Sequence, residues 1–212
     1  MYLCNRFMRE KILHTATDLF LNLGFKSVTM DDIAEKLAIS KKTIYTYFKN
    51  KTELVKASVY YVFESISNGI DQICSLDNNP IEEIFIIKEF VLENLKNEKS
   101  SPLFQLKKYY PKLHQELIKK QFEIMQSCVE QNISKGIESG IFRKELDLDF
   151  ISRIYFSGIT AIKDNDMFPN NHKNMKGLMD AFLDYHIRAI ATEKGLKILI
   201  NQMNKNNQKI KK

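Results

Sequence analysis

Cysteine is scarce in this chain, with three residues among 212. Cys4, Cys74 and Cys128 are far apart in the sequence, odd in number and without a C-x-x-C pair. This spacing argues against a disulfide framework and against a zinc site, and it favours reduced thiols. We therefore expect a cytoplasmic protein.

Long apolar runs are also missing. No window approaches 18 uninterrupted apolar residues, and the opening MYLCNRFMREKI has no apolar core of signal-peptide length. Hydrophobic residues make up 44% of the chain and charged residues 27%, which is typical of soluble globular proteins. We expect no membrane segment and no membrane partner.

The sequence lacks the common catalytic and metal-binding motifs. His14, His114, His172 and His186 lie far apart, and no H-E-x-x-H, E-x-x-H or Cys/His pairing occurs. A glycine-rich phosphate loop and a G-x-S-x-G elbow are also missing. We therefore predict no catalytic residues, no metal and no cofactor, and an enzyme is the disfavoured class.

Glycine and proline number only seven and four, and they fall at boundaries between segments of 3.6-residue periodicity. Alternating strand patterns are essentially missing. An all-α fold of nine or ten helices follows. The first helix is predicted at about residues 7–23, with Gly24 as its C-terminal cap. Asn50 and Glu53 form a capping box that opens a long helix to about Ile73.

The second half of the chain also has helix-boundary residues between its periodic segments. A short helix is predicted to begin at Ser101 and Pro102, and Asp147 is predicted to cap a later one. A polar loop, KDNDMFPNNHKN, precedes a final predicted helix from Met175 to about Thr192. The Lys/Asn-rich end is expected to be a frayed or disordered basic tail.

Charge is distributed unevenly. Residues 1–60 carry ten Lys and Arg against six Asp and Glu, residues 61–193 carry sixteen against twenty, and residues 194–212 carry six lysines and no acid. A basic N-terminal segment followed by an acidic middle fits a nucleic-acid-binding unit joined to a body with another role. Charge alone favours the other interpretation, in which the lysines merely keep the surface solvated.

The segment from Thr29 to Lys51 predicts two short helices joined by a tight turn, with Thr29 and Ser40 as N-caps. In the second helix Ile44, Tyr47 and Phe48 form an apolar stripe at i, i+3, i+4. Polar side chains occupy the opposite face: Lys42, Thr43, Tyr45, Thr46 and Lys49.

That opposite face supplies ammonium groups, hydroxyls and apolar surface, which are the groups that duplex DNA binds in its major groove. Any surface helix has polar residues outside and aromatic residues inside, so the pattern alone does not decide. The adjoining short helix, the tight turn and the basic first quarter of the chain favour a helix-turn-helix.

The same residues resemble a known family. L-G-F at the end of the first helix, then T-M-D-D-I-A, then a serine-capped T-I-Y-x-Y-F-K-N-K-x-E-L is similar to the N-terminal domain of TetR-type (TetR/AcrR) transcriptional regulators, over about residues 8–57. The later ESGIFRKELDLDFISRIYFSGI looks like the G-x-[IF]-R loop before the eighth helix of that family. This second match is weaker.

The resemblance implies a dimeric repressor with a three-helix DNA-binding domain and a larger helical domain that holds a small-molecule effector. Effector binding would swing helix 4 and separate the two recognition helices from the operator. Lys42 stands where glycine is frequent and Thr46 where histidine is common, so the operator cannot be transferred from a relative. The family resemblance implies that seven residues contact double-stranded DNA: Thr29, Lys41, Lys42, Thr43, Tyr45, Thr46 and Lys51.

A short recognition helix contacts few base pairs, so specificity calls for a dimer whose half-sites lie about 34–36 Å apart. The apolar helices at about 147–164 and 175–192 are the expected homodimer face. Gly158 permits close approach of helices there, although it fits equally well as a glycine that packs within the chain.

The predicted domains are 6–66 for DNA binding, 67–194 for effector binding and dimerisation, and 195–212 for the basic tail. The competing function is a helical ligand- or partner-binding dimer that no longer binds DNA. Aromatic and apolar residues at helical spacing form either an effector pocket or plain core. The pocket candidates are Phe85, Phe104, Tyr109, Tyr110, Phe122, Met125, Tyr155 and Phe156.

Overall fold

The computed structural model describes residues 2–95, 102–164, 167–169 and 174–210, with the backbone alone at 2–4, 95 and 206–210. The predictions for Ser101, for His172 and for the Cys4 side chain lie outside the described residues, as does part of the polar loop. Within these ranges the all-α fold is confirmed, with one isolated β-bridge between Phe142 and Ala191. The ten helices are α1 Tyr2–Leu23, α2 Met30–Leu37, α3 Lys41–Tyr47, α4 Lys51–Cys74, α5 Pro80–Leu95, α6 Pro102–Tyr109, α7 Pro111–Glu138, α8 Leu148–Ala161, α9 Met175–Ile190 and α10 Glu193–Ile210.

The turn before α2 is built from local capping signals. Gly24 ends α1 with a φ of +92°, a conformation that favours glycine, and its N–H donates to the Phe20 carbonyl at 2.9 Å. Thr29 caps α2: its hydroxyl accepts from the Asp32 N–H at 3.2 Å, and the Asp32 carboxylate accepts from the Thr29 N–H at 2.7 Å. The predicted Thr29 cap is confirmed as a reciprocal capping box.

Ser40 caps α3 as predicted, whereas only the Asn50 half of the capping box predicted for α4 is formed. The Ser40 hydroxyl accepts from the Thr43 N–H at 3.0 Å. The Asn50 side chain accepts from the Glu53 N–H at 2.9 Å, while the Glu53 carboxylate accepts from the Lys49 N–H at 2.8 Å rather than from Asn50 itself. These bonds satisfy N–H groups that a helix start leaves without intrahelical partners. These hydrogen bonds therefore fix the residue at which α3 begins and the residue at which α4 follows it.

The chain divides into two compact units. Unit 1 comprises Met1–Gly69 and Glu93–Lys120, and unit 2 comprises Ile70–Leu92 and Gln121–Lys212. The divisions fall inside α4, α5 and α7, so each of these helices contributes to both units. The functional division at residues 66 and 194 remains a prediction.

The core of unit 1 joins α1 to α4 with α6 and the first part of α7. Ile12, Phe20 and Ile33 are fully buried in it, and Leu106 of α6 and Leu117 of α7 belong to the same cluster. The three N-terminal helices therefore share one core with residues more than forty positions further along the chain. Burial of such side chains is the main stabilising term for this unit.

The core of unit 2 is formed by α5, the later part of α7, and α8 to α10. Phe85, Phe142, Leu183 and Leu199 are buried in it. At Gly158 of α8 the Phe182 ring of α9 occupies the space that a Cβ would need. This glycine packs within the chain, which was one of the two interpretations of the sequence.

The predicted disorder of the Lys/Asn-rich tail that follows LKILI is wrong for residues 201–210, which are helical. Helix α10 continues to Ile210, and its Leu199 is fully buried in unit 2. Thr192 starts this helix, because its hydroxyl accepts from the Gly195 N–H at 3.2 Å. The apolar run LKILI thus packs as part of a helix. Its burial stabilises α10 although the residues that follow it are polar.

Two of the cysteines, although distant in the sequence, meet in unit 2. The Cys128 thiol hydrogen-bonds with Cys74, and both remain free thiols. Burial raises the pKa of Cys128, and burial together with the Glu83 carboxylate raises the pKa of Cys74 to about 12. Both thiols are therefore protonated and weakly nucleophilic at neutral pH.

Candidate nucleic-acid interface

The inner face of α3 attaches the helix to unit 1. Ile44 and Phe48 are fully buried in the unit 1 core, and Tyr47 is half-buried against it. The Arg9 guanidinium lies 5.0 Å from the centre of the Phe48 ring. The predicted apolar stripe is therefore the face that docks the helix.

The outer face of α3 is exposed. Tyr45 is 43% exposed, and Lys42 and Thr46 are also exposed. The Thr46 hydroxyl donates to the Lys42 carbonyl at 3.1 Å, and the Thr43 and Ser40 hydroxyl oxygens lie 2.8 Å apart. In the part of the chain that the structure describes, no carboxylate pairs with Lys42. Its ammonium and the Tyr45 ring are available to a partner.

Lys41 is tied to the preceding helix. Its ammonium forms an ion pair with the Asp31 carboxylate of α2 at 2.7 Å, and both side chains are substantially exposed. This hydrogen bond raises the pKa of Lys41. Solvent screens an exposed pair of this kind, so it stabilises the fold little and a phosphate can replace Asp31 at little cost.

Thr29 and Lys51 also have roles within the chain. The Thr29 hydroxyl is the N-cap of α2, and the Lys51 ammonium donates to the Lys26 carbonyl at 3.2 Å. Burial lowers the pKa of Lys51, and the nearby Asp32 carboxylate opposes that effect. A lysine ammonium has three donors, so this contact leaves Lys51 capacity for a further acceptor.

Two further lysines, Lys49 and Lys26, lie close to residues of the predicted DNA-contacting set. Lys49 is exposed directly after the buried Phe48, and the helical pattern already places it on the outer side. The carbonyl oxygen of Lys26 accepts a hydrogen bond from the Lys51 ammonium. Nothing in the local sequence pattern around Lys26 indicates this contact. Of the two, only Lys49 could be predicted from periodicity.

The eight effector candidates divide between the two units. In unit 2, Phe85 is buried in the main core, and Met125 and Tyr155 pack partly buried against Ile159, Ile162 and Met179. The Phe122 and Phe156 rings lie 5.2 Å apart, edge to face.

The other three candidates belong to unit 1. Tyr110 packs on its core, with its ring 6.2 Å from that of Phe25. Phe104 is 61% exposed, and Tyr109 is also exposed. The structure therefore brings Phe122 and Phe156 together, places Met125 beside Tyr155, and leaves Phe104 and Tyr109 on the surface.

His186 of α9 joins the aromatic residues of unit 2 and is absent from the predicted set. Its ring centre lies 5.0 Å from that of Tyr155 and 5.7 Å from that of Phe182. Burial lowers the pKa of His186 to about 4, so the imidazole is neutral at pH 7. The sequence around His186 contains no motif that would predict the burial of its side chain.

The sequence comparisons agree with this geometry. The family of bacterial regulatory proteins called the tetR family matches residues 12–65. The chain is 29% identical over 140 residues to the uncharacterized HTH-type transcriptional regulator YhgD of Bacillus subtilis, which is 64% of this chain and 72% of YhgD. Residues 12–65 therefore form a TetR-type DNA-binding domain. The chain is also 30% identical over 87 residues to IcaR of Staphylococcus aureus, a negative transcriptional regulator of the biofilm operon icaADBC. That match covers 41% of this chain and 47% of IcaR, so the chain spans about half of that relative.

Solved structures of TetR-type proteins share the fold. SmeT, the repressor of the Stenotrophomonas maltophilia multidrug efflux pump SmeDEF, has a TM-score of 0.67 at 18% identity, covering 87% of this chain and 91% of SmeT. A TetR family regulator from Cytophaga hutchinsonii has a TM-score of 0.68 at 20% identity, covering 90% and 98%. The family match at residues 12–65 makes α3 the second helix of a TetR-type helix-turn-helix, and the matches to the regulators YhgD and IcaR make the chain a DNA-binding transcriptional regulator.

No helix among the described residues combines the length and apolar character needed to cross a bilayer. Over the same residues, no group of three or more His, Cys, Asp or Glu side chains is placed to hold a metal ion.

Proposed function

We propose that this TetR-type protein is a cytoplasmic homodimeric repressor that binds a double-stranded DNA operator and is released by a small-molecule effector. The observation that carries the proposal is the division of α3 into a buried stripe and an exposed face. Ile44 and Phe48 fix the helix, while Lys42 and Tyr45 face outward with no partner among the described residues. Such a helix fits the major groove, which is about 12 Å wide.

The seven proposed DNA contacts have two kinds of target. Lys42, Tyr45 and Thr46 are exposed along α3 and are suited to base edges and thymine methyl groups. The remaining four form caps, an ion pair or a hydrogen bond near helix starts. They are suited to contacts with phosphates, and such contacts fix the position of a protein along the duplex. Those four are Thr29, Lys41, Thr43 and Lys51.

Dimerisation through α8 and α9 is supported by apolar side chains that these helices expose. Phe150 and Ile154, one turn apart on α8, are 57% and 44% exposed, and Tyr185 of α9 is 69% exposed. Exposed apolar residues clustered on neighbouring helices are typical of protein interfaces. A second copy of the same face would cover them in a twofold arrangement.

Repression is supported by relatives: IcaR is a negative regulator and SmeT a repressor. For the effector, the aromatic residues of unit 2 favour a moderately apolar small molecule, oriented by a few polar groups. The proposed lining is Phe122, Met125, Tyr155 and Phe156. The neutral imidazole of His186, which stacks on the same cluster, is a further polar group there.

Selection of bound duplexes from a random pool, followed by gel retardation, tests the proposed function. We expect one sequence with two half-sites whose centres lie about 10 base pairs apart or a multiple of that. Tyr45→Ala should abolish retardation at protein concentrations that shift the duplex fully with the unchanged chain. A pool in which no sequence is enriched would contradict the proposal and favour the ligand- or partner-binding dimer instead.

The dimer face is tested separately by sedimentation equilibrium. Phe150→Glu with Tyr185→Glu places charges on both helices and should convert the dimer to a monomer, with loss of operator binding. Glu replacement of the exposed Leu76, on neither helix, is the matched control. A double variant that stays dimeric would show that another face forms the dimer.

A further inference from the structure

A second group of cations lies on unit 1, away from α3. Helix α6 carries exposed Phe104, Lys107, Lys108 and Tyr109, and the loop after α1 adds Lys26. We call these five residues the α6 basic surface. None of them belongs to the helix-turn-helix.

Two of the three ammonium groups of this surface, those of Lys26 and Lys108, lie over exposed aromatic rings. Lys26 Nζ lies 5.3 Å from the centre of the Tyr109 ring, and Lys108 Nζ lies 5.5 Å from the same ring and 5.9 Å from that of Phe104. A ring face within about 6 Å attracts a cation without neutralising its charge. The two lysines are therefore positioned but remain available to an anion.

No carboxylate among the described residues forms an ion pair with Lys26, Lys107 or Lys108. Elsewhere in unit 1, exposed lysines do have such partners, as Lys41 has Asp31 and Lys56 has Glu116. Burial and then the positive charge of Lys107 lower the pKa of the neighbouring His114. The local potential at the end of α6 is accordingly positive.

The α6 basic surface adjoins a lysine of the proposed DNA-contacting set. The Lys26 carbonyl accepts the hydrogen bond from the Lys51 ammonium at 3.2 Å. The Lys26 N–H donates to Gln105 of α6 at 3.5 Å, and Leu106 of α6 is buried in the same core as Ile44. The surface is thus fixed to the DNA-binding helices within one compact unit.

We propose that the α6 basic surface binds backbone phosphates of the operator duplex outside the base pairs that α3 contacts. The proposal rests on the proposed function, because it extends the same protein–DNA interface. Its direct continuity with Lys51 favours a duplex over an acidic protein as the partner. Lysine ammoniums are compact point charges that suit phosphates and carry no base preference.

The matched test compares two double variants, Lys107→Gln with Lys108→Gln and, as control, Lys144→Gln with Lys197→Gln. All four lysines are exposed, and the control pair removes the same charge from unit 2. Binding is measured by fluorescence anisotropy against salt concentration. The probes are the duplex selected from the random pool, trimmed to its two half-sites, and the same duplex extended by about one helical turn, roughly 10 base pairs, at each end.

On the extended duplex, the Lys107/Lys108 variant should bind more weakly than the unchanged chain. The slope of log affinity against log salt should be shallower by about 0.9 for each phosphate that the variant no longer neutralises. On the trimmed duplex the two should bind alike, which also shows that the variant is folded. The control variant should match the unchanged chain on both probes.

Equal slopes for the Lys107/Lys108 variant and the unchanged chain on the extended duplex would overturn the inference while leaving the proposed function intact. An equal loss in the control variant would also overturn it, because the effect would then be one of net charge. If the unchanged chain selects no duplex, the proposed function fails and the inference fails with it.

Discussion

Lys41 and Lys42 are neighbours in the sequence, yet their side chains have different surroundings. Lys41 is held by Asp31 of α2 at 2.7 Å, whereas Lys42 has no carboxylate partner among the described residues. A preformed ion pair must be exchanged when Lys41 meets a phosphate, but Lys42 is free to adopt the position that a base edge requires. We therefore propose base contacts for Lys42 and phosphate contacts for Lys41.

Lys51 is expected to contribute to affinity without contributing to sequence preference. Its ammonium is partly buried and donates to the Lys26 carbonyl, so its position at the start of α4 is fixed. Lys51→Ala should weaken binding to selected and random duplexes by the same factor. The magnitude of the salt slope should fall by about 0.9 for each phosphate that Lys51 neutralises in the unchanged chain.

Gel retardation over a salt titration measures this effect, with Lys144→Ala as a control from unit 2. A larger loss on the selected duplex than on the random one would mean that Lys51 contacts bases. An unchanged salt slope would remove Lys51 from the interface altogether.

His186 should make stability depend on pH. Its pKa is about 4 in the folded chain, against 6.5 for an ordinary histidine, because burial disfavours the charged form. Between these values the unfolded chain binds a proton that the folded chain does not. Stability should therefore fall as the pH falls from 6.5 to 4, by about 3 kcal/mol in total from this residue.

Urea unfolding at pH 7 and pH 5 measures the effect. In His186→Gln the difference in unfolding free energy between the two pH values should shrink, whatever the absolute stability of the variant. His14→Gln, which replaces an exposed histidine of α1, should keep the full difference. An unchanged difference in His186→Gln would show that other groups cause the pH dependence.

Substitutions on the two faces of helix α3 should have different effects: those on the buried face should lower stability, and those on the exposed face should weaken DNA binding. Ile44 is fully buried and Tyr45 is 43% exposed, although they are adjacent. Ile44→Ala should lower the free energy of unfolding by about 2–5 kcal/mol through the cavity it leaves. Tyr45→Ala should change it by no more than about 0.5 kcal/mol, as is usual for exposed positions.

Thermal unfolding and gel retardation of the same two variants make the comparison. Tyr45→Ala should lose operator binding at nearly unchanged stability. If Tyr45→Ala were as unstable as Ile44→Ala, its loss of binding would not identify a DNA-contacting residue.

Local signals predicted much of the fold. Thr29, Ser40 and Asp147 all cap the helices that the sequence assigned to them, because a cap needs only a side chain within three residues of the N–H it satisfies. Helix α10 was missed because its stability comes from burial of Leu199 in a core formed by distant helices. Sequence composition alone could not reveal that burial.

Contacts between distant segments also limited the prediction of the site. The pairing of Lys41 with Asp31, ten residues away, and the contact of Lys51 with Lys26 depend on how the helices pack. The same holds for Tyr109, an effector candidate in the sequence, whose ring lies on the surface beneath Lys26. Periodicity assigns a face to a residue but does not identify the partner of that face.

At the scale of the molecule, the DNA-binding helices do not form a core of their own. Unit 1 includes Glu93–Lys120, and its core contains Leu106, Leu113 and Leu117 beside the helix-turn-helix residues. The Glu116 carboxylate of α7 also accepts from the Lys56 ammonium at 2.9 Å and the Tyr60 hydroxyl at 3.1 Å, both on α4. Helix α7, which lies in the sequence region predicted to bind the effector, therefore contacts α4 directly, and α6 shares the unit 1 core with α4.

The contact between α4 and α7 gives the proposed effector response a physical basis within unit 1. Helix α7 contributes residues to both units, so it connects the proposed pocket residues Phe122 and Met125 covalently to the core that holds α3. A ligand that favours one arrangement of these helices can shift the equilibrium only by its difference in affinity between the two arrangements.

The central claim is that the exposed face of α3 determines which DNA sequence this protein binds. The most direct measurement is the ratio of dissociation constants, at fixed salt, for the selected duplex and for one with both half-sites scrambled. Lys42→Gln with Tyr45→Ala should reduce that ratio by at least about tenfold, since each good base contact discriminates by about 1–3 kcal/mol, while affinity for the scrambled duplex changes little. A ratio equal to that of the unchanged chain would contradict the account.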